Sequence, residues 1–134
     1  MYIDAQPSVT PEVLQGLKKD IMSSLHVALP GIVLSFDPIQ RTADIQPAVR
    51  GRLSVNGESV IYPVLREVPV FIQEFTGDAH LEPNIQAGDM CLLIFADVNI
   101  DGWYETGQAA MPASGRQHDL SDAFAFVGFH CRQN

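Results

Sequence analysis

Ile32-Val33-Leu34-Ser35-Phe36, followed by Asp37-Pro38-Ile39-Gln40-Arg41 and then Thr42-Ala43-Asp44-Ile45-Gln46-Pro47-Ala48-Val49, is the stretch on which the fold turns. Two runs rich in β-branched and aromatic residues flank a segment whose Asp and Pro supply turn chemistry, which predicts a hairpin. Just upstream, Leu29-Pro30-Gly31 marks the point where the hydrophobic period changes from helical to extended.

Downstream the pattern continues as short strands at Arg52 to Val55, Glu58 to Pro63, Val68 to Gln73, Met90 to Ala96 and Asp122 to Val127, with Asn56-Gly57 as a turn signal. Pro47, Pro63 and Pro69 each lack an N–H and belong at strand ends or sheet edges. Short strands at this spacing favour a small closed or partly closed barrel over a flat sheet. Thr76 to Asp89 and Asp97 to His118 read as loops, the second holding Trp103 and Tyr104 in a short helical turn.

Upstream, Thr10-Pro11-Glu12 is a helix start: a capping hydroxyl, a proline suited to the first turn, and an acid at the positive end of the dipole. Leu14, Leu17, Ile21 and Leu25 recur at three- and four-residue steps, predicting one amphipathic helix over about residues 11 to 27, weakened at Gly16. Its apolar face suits either its own domain or a second surface, whether copies of itself or another partner.

The chain has 134 residues, which matches one domain of the usual ~150. Eight Lys and Arg against 16 Asp and Glu give −8 at pH 7, a balance that argues against general nucleic-acid or anionic-lipid binding. Only 18% of residues are charged and 46% are hydrophobic, so part of the apolar surface is expected to meet a partner. No apolar run reaches the ~20 residues of a bilayer span, and Met1 to Thr10 lacks the features of a secretory signal, so the chain reads as soluble and made in the cytosol.

The residues that could carry chemistry are few. Arg116-Gln117-His118-Asp119-Leu120-Ser121-Asp122 gathers a base, carboxylates and a hydroxyl, but no glycine elbow or oxyanion motif accompanies it, and a polar loop with Ser121 or Asp122 bonded to backbone is the better reading. His26, His80, His118 and His130 show no metal-ligand spacing beyond the adjacent His130-Cys131, and Asp78, Glu82, Asp89, Asp97 and Asp101 form no calcium loop. Cys91 sits within the apolar run Met90 to Phe95 as a core residue, and Cys131 reads as a free tail thiol. Trp103 suits a loop anchor better than an exposed stacking platform. Arg41, Arg50, Arg52 and Arg66 are scattered, and no phosphate cradle occurs. No catalytic residue, cofactor site or metal site is assigned, and the chain is expected not to be an enzyme.

The order of these segments resembles the N-terminal domain family of membrane-puncturing spike proteins from contractile-tailed phages and related injection machines. Pro30-Gly31-Ile32-Val33, Val68-Pro69-Val70, Gly88-Asp89 leading into Cys91 to Phe95, Asp101 with Trp103, and Arg116, His118, Leu120, Ser121 and Asp122 carry the likeness over roughly residues 12 to 129. The resemblance implies a mainly β fold, a small OB-fold-like five-stranded barrel with an N-terminal amphipathic helix. Residues 1–30 would be the helix and connection, 31–129 the barrel and 130–134 a short tail. It further implies a homotrimer on the tail axis of a virion baseplate, the central spike or its hub adaptor. The partners would be a baseplate hub protein, a separate spike-tip protein and, transiently, the host envelope, with no nucleic acid bound. Gly88-Asp89, Trp103, His118, Ser121 and Asp122 would then be architectural. Only His130 to Asn134 follow the barrel, so the piercing segment is expected from a continuation of the chain or from another protein. The competing expectation is a stand-alone OB-fold module for saccharide or single-stranded nucleic acid; a hydrolase built on His118, Asp119 and Ser121 is the third.

Overall fold

The structure is a computed structural model that describes residues 9–52, 59–74 and 82–133. Helix α1 spans Pro11–Ser24, and the Thr10 hydroxyl accepts the Val13 N–H at 3.2 Å as its cap. It stops three residues short of the predicted Val27. The Ser23 and Ser24 hydroxyls turn back to donate to the Asp20 carbonyl at 3.1 and 3.0 Å, Leu25 becomes extended, and the His26 N–H donates to the His118 carbonyl at 3.3 Å. The barrel therefore takes over the backbone where the helical pattern would have continued.

Strand β1 spans Ala28–Asp37, beginning four residues earlier than the sequence predicted, and β2 spans Thr42–Pro47. In the turn between them the Asp37 carboxylate accepts the N–H groups of Ile39 and Gln40 at 2.9 and 3.2 Å, and Arg41 adopts a left-handed φ of 59°. β3 (Gly51–Arg52) pairs with β4 (Ser59–Val60) as a separate two-stranded sheet. Leu53 to Val55, the Asn56-Gly57 turn and Glu58 lie outside the described residues, as do Thr76 to Leu81 with His80.

β5 spans Leu65–Pro69, three residues ahead of the predicted run, and beyond Pro69 the chain turns to the far edge of the sheet, Val70 bridging Ala125. β6 (Met90–Phe95), α2 (Asp101–Thr106) and β7 (Ala123–Phe129) follow; α2 holds the Trp103-Tyr104 turn foreseen in the loop.

The main sheet has the order β5-β2-β1-β6-β7, with each neighbouring pair antiparallel. Register shifts between Val33 and Ser35, Ala43 and Ile45, and Met90 and Cys91 bend the strands. The sheet curls until its two edges meet: Val70 bridges Ala125 in parallel, and the Phe71 N–H donates to the Ala125 carbonyl at 2.9 Å. The fold is thus mainly β, a strongly curled five-stranded OB-like half-barrel led by a helix.

The interior is filled by Val33, Ala43, Ile45, Leu65, Val68, Val70, Cys91, Leu93, Phe95, Ala123 and Ala125. Gly31 is required where β1 crosses this core. A Cβ there would stand 2.7 Å from Ile45 Cγ2 and 3.0 Å from Cys91 Sγ.

Candidate assembly surface

Strand alternation places one set of residues inside the barrel and the other on its outer wall. On β2 and β5 the outer wall is polar: Asp44, Gln46, Arg66 and Glu67, with Arg66 paired to Asp44 at 3.0 Å. The Glu67 N–H donates to Asp44 Oδ1 at 3.1 Å and, with help from Arg66, holds that carboxyl below its usual range.

On β1, β6 and β7 the outer wall is apolar. Ladder partners share a face, so Pro30 lies beside Leu92, Ile32 beside Met90, Leu92 beside Phe126, and Ile94 beside Phe124. Strand β6 is therefore apolar on both sides: Cys91, Leu93 and Phe95 are buried in the core while Met90, Leu92 and Ile94 face outward. Strand β7 repeats the arrangement with small residues inward, Ala123 and Ala125, and phenylalanines outward. Phe71 stacks on Phe126 with ring centres 5.2 Å apart, and Trp103 leans on Phe124 at 5.6 Å, so four aromatic rings extend along this wall. Phe71 is 58% exposed and Trp103 45% exposed, which makes Trp103 the half-open rim of this wall and not a buried loop anchor.

Helix α1 adds a second apolar surface. Val13, Leu14, Leu17, Ile21 and Met22 are all more than half exposed, and no residue of the helix is buried. The helix does not pack on its own barrel. Its root, in contrast, is fixed: His26 lies against Tyr62 and Phe95 at 5.9 and 5.8 Å, its carbonyl meets His118 Nδ1 at 3.2 Å, and the Phe95 N–H donates to the Val27 carbonyl at 3.0 Å.

The run Arg116 to Asp122 is brought together as a brace. Asp122 is fully buried, and Arg116 grips it with two bonds, Nε to Oδ2 at 2.7 Å and an Nη to Oδ1 at 2.8 Å. Oδ1 also accepts the Ile100 N–H at 3.2 Å, and Arg116 reaches Asp101 at 3.2 Å, so the brace joins β7 to the start of α2. These bonds to Asp122 hold the guanidinium more firmly protonated. Asp119 accepts the Ser121 N–H at 2.9 Å, which lowers its pKa. The His118 ring faces the His26 carbonyl and, at 3.4 Å, Asp97 Oδ1, so of the three groups weighed as a hydrolytic set His118 and Asp119 hold backbone and the Ser121 side chain bonds to Asp119. Among the described residues no group of three or more His, Cys, Asp and Glu could hold a metal ion; His130 and Cys131 are exposed beyond β7.

The composition hinted at uncovered apolar surface but did not locate it. The signal was present in Met90 to Phe95, apolar at both parities, and in Ala123-Phe124-Ala125-Phe126, whose alternation of small and aromatic residues reverses the usual inside and outside.

Comparison with curated proteins finds no match. Residues 29–128, from the first residues of β1 to the end of β7, match the family described as phage protein Gp138 N-terminal domain. That match covers the whole barrel with its two-sided wall, and the chain belongs to the phage protein Gp138 N-terminal domain family.

Proposed function

We propose that the chain is a non-enzymatic structural part of a phage contractile-tail baseplate, the central spike or its hub adaptor, assembling as a homotrimer on the tail axis. The observation that carries the reading is the apolar outer wall of β1, β6 and β7, which among the described residues stays half-exposed, with Ile94, Phe71 and Trp103 open, in a chain of net charge −8. A surface of this kind is stable in water when a neighbour covers it, and threefold closure gives each copy one donor and one acceptor contact. In this role the hub would bind one end of the trimer, a spike tip the other, and the host envelope would be met only by the assembled spike.

Light scattering on the purified chain tests the assembly, with three times the 14.7 kDa chain mass expected at micromolar concentration. Gold-labelled antibody on intact phage particles tests the location, with label expected at the tail end; label confined to the capsid would refute the baseplate role. The row Trp103, Phe124, Phe126 and Phe71 favours one competing reading, a saccharide-binding platform, which predicts retention on a glycan panel that Trp103→Ala abolishes.

A further inference from the structure

Among the described residues two apolar surfaces are left at least half-open, and they differ in shape and in charge environment. The outer wall of β1, β6 and β7 is broad: its central strand, six residues long, extends about 20 Å, and three strands span about 10 Å. Helix α1 has 14 residues and is about 21 Å long, and at 100° per residue Val13, Leu17, Ile21 and Leu14 cover roughly 100° of its circumference. A stripe this wide fits a sheet face.

It fits a bundle of copies of itself poorly. With Leu14, Leu17 and Ile21 as the seam of a parallel coiled coil, the flanking positions would pair Val13 with Lys18 and Asp20 with Leu25, so no ion pair would set the register. Two heptads are also too short to be stable on that seam alone.

Charge separates the two parts further. Residues 28–134 hold 13 Asp and Glu against six Arg, a net −7, whereas the helix is neutral and carries both lysines of the chain, Lys18 and Lys19. A barrel approaching a barrel meets like charge, but the helix of one copy meets an acidic barrel without repulsion and with Lys18 at the edge of its apolar stripe.

Resting on the trimeric assembly proposed above, we infer that the apolar face of α1 from one copy lies on the outer wall of β1, β6 and β7 of the next copy. Three such contacts close a ring, because each copy offers one arm and one wall. The fixed root at His26 holds the arm clear of its own barrel, ready for a neighbour's wall.

The test uses the full chain in a Cys131→Ser background. One preparation carries Ile21→Cys on the arm, the other Leu92→Cys at the centre of the wall, and the two are mixed, exchanged and oxidised. Disulfide-linked pairs containing one chain of each kind are expected; arm-to-arm pairs of the Ile21→Cys chain alone would overturn the inference in favour of a helical bundle. In parallel, Leu17→Asp with Ile21→Asp is expected to convert the trimer to monomer in light scattering while the barrel keeps its β-sheet circular dichroism. If that variant stays trimeric, the arm-on-wall contact is refuted and the trimer stands; if the unsubstituted chain is itself monomeric, both fall.

Discussion

Asp122 and its partner Arg116 show how much one residue pair can hold. The carboxylate is fully buried and the guanidinium beside it partly open, so removing the cation strands a charge in the interior. Arg116→Met is expected to lower the unfolding free energy by about 3–5 kcal/mol in urea titration, and adding Asp122→Leu to the same chain should recover part of the loss. Gly31→Ala places a methyl group against Ile45, Cys91 and Leu93 and is expected to cost about 1–3 kcal/mol in the same assay. Burial pushes the Cys91 thiol from 9.0 up to about 11. A raised folded pKa means that the native state retains the proton longer, so stability should fall by about 2 kcal/mol as pH rises from 9 to 11. The opposite sign applies to Asp44 and Asp119, whose folded pKa values are lowered: the stability they contribute is present above pH 3.8 and is lost as pH falls below it. Alkylation at neutral pH should label Cys131 alone, and Cys91 only after unfolding. At this scale the sequence pointed to the right cluster, Arg116 to Asp122, and to a polar loop bonded to backbone. It could not reveal that Arg116 is the partner of Asp122 across the start of α2, because that pairing depends on how a loop without regular period folds back.

Among the elements, the helix, the first hairpin and strand β6 were legible, since each has a clear hydrophobic period or a turn of recognisable chemistry. The boundaries that moved did so for tertiary reasons. Leu25 to Val27 left the helical pattern because His26 and Val27 bond to the barrel, and the predicted fifth strand ends at Pro69 because Val70 and Phe71 cross to Ala125 on the opposite edge. The outer wall was the least legible feature, because alternation in β7 reads equally well with either face inward; only the curled sheet shows that the alanines are inside. Phe126→Ser removes the stack with Phe71 and the half-buried ring's apolar burial, and is expected to cost about 2 kcal/mol in thermal or urea unfolding of the barrel, while greatly weakening association. That difference between a modest effect on folding and a large one on assembly would mark the wall as an interface element.

At the scale of the whole molecule, the barrel is divided into a polar and an apolar half, and its charge is concentrated away from the helix. Assembly that brings three barrels of −7 together should tighten as salt screens their repulsion, so the dissociation concentration is expected to fall between 50 and 500 mM salt, on the order of the Debye-length change from about 14 to about 4 Å. An assembly held by surface ion pairs would loosen instead, and light scattering across a salt series distinguishes the two. The anchored root of α1 has a mechanical consequence. Because Val27 bonds to Phe95 and the next five residues, Ala28 to Ile32, pair in an unbroken row with Ile94 to Met90, tension on the helix passes directly into the middle of the sheet. A pull on the arm is therefore delivered to the centre of the sheet, where strands flank β1 on both sides, and not to an edge strand that could peel away.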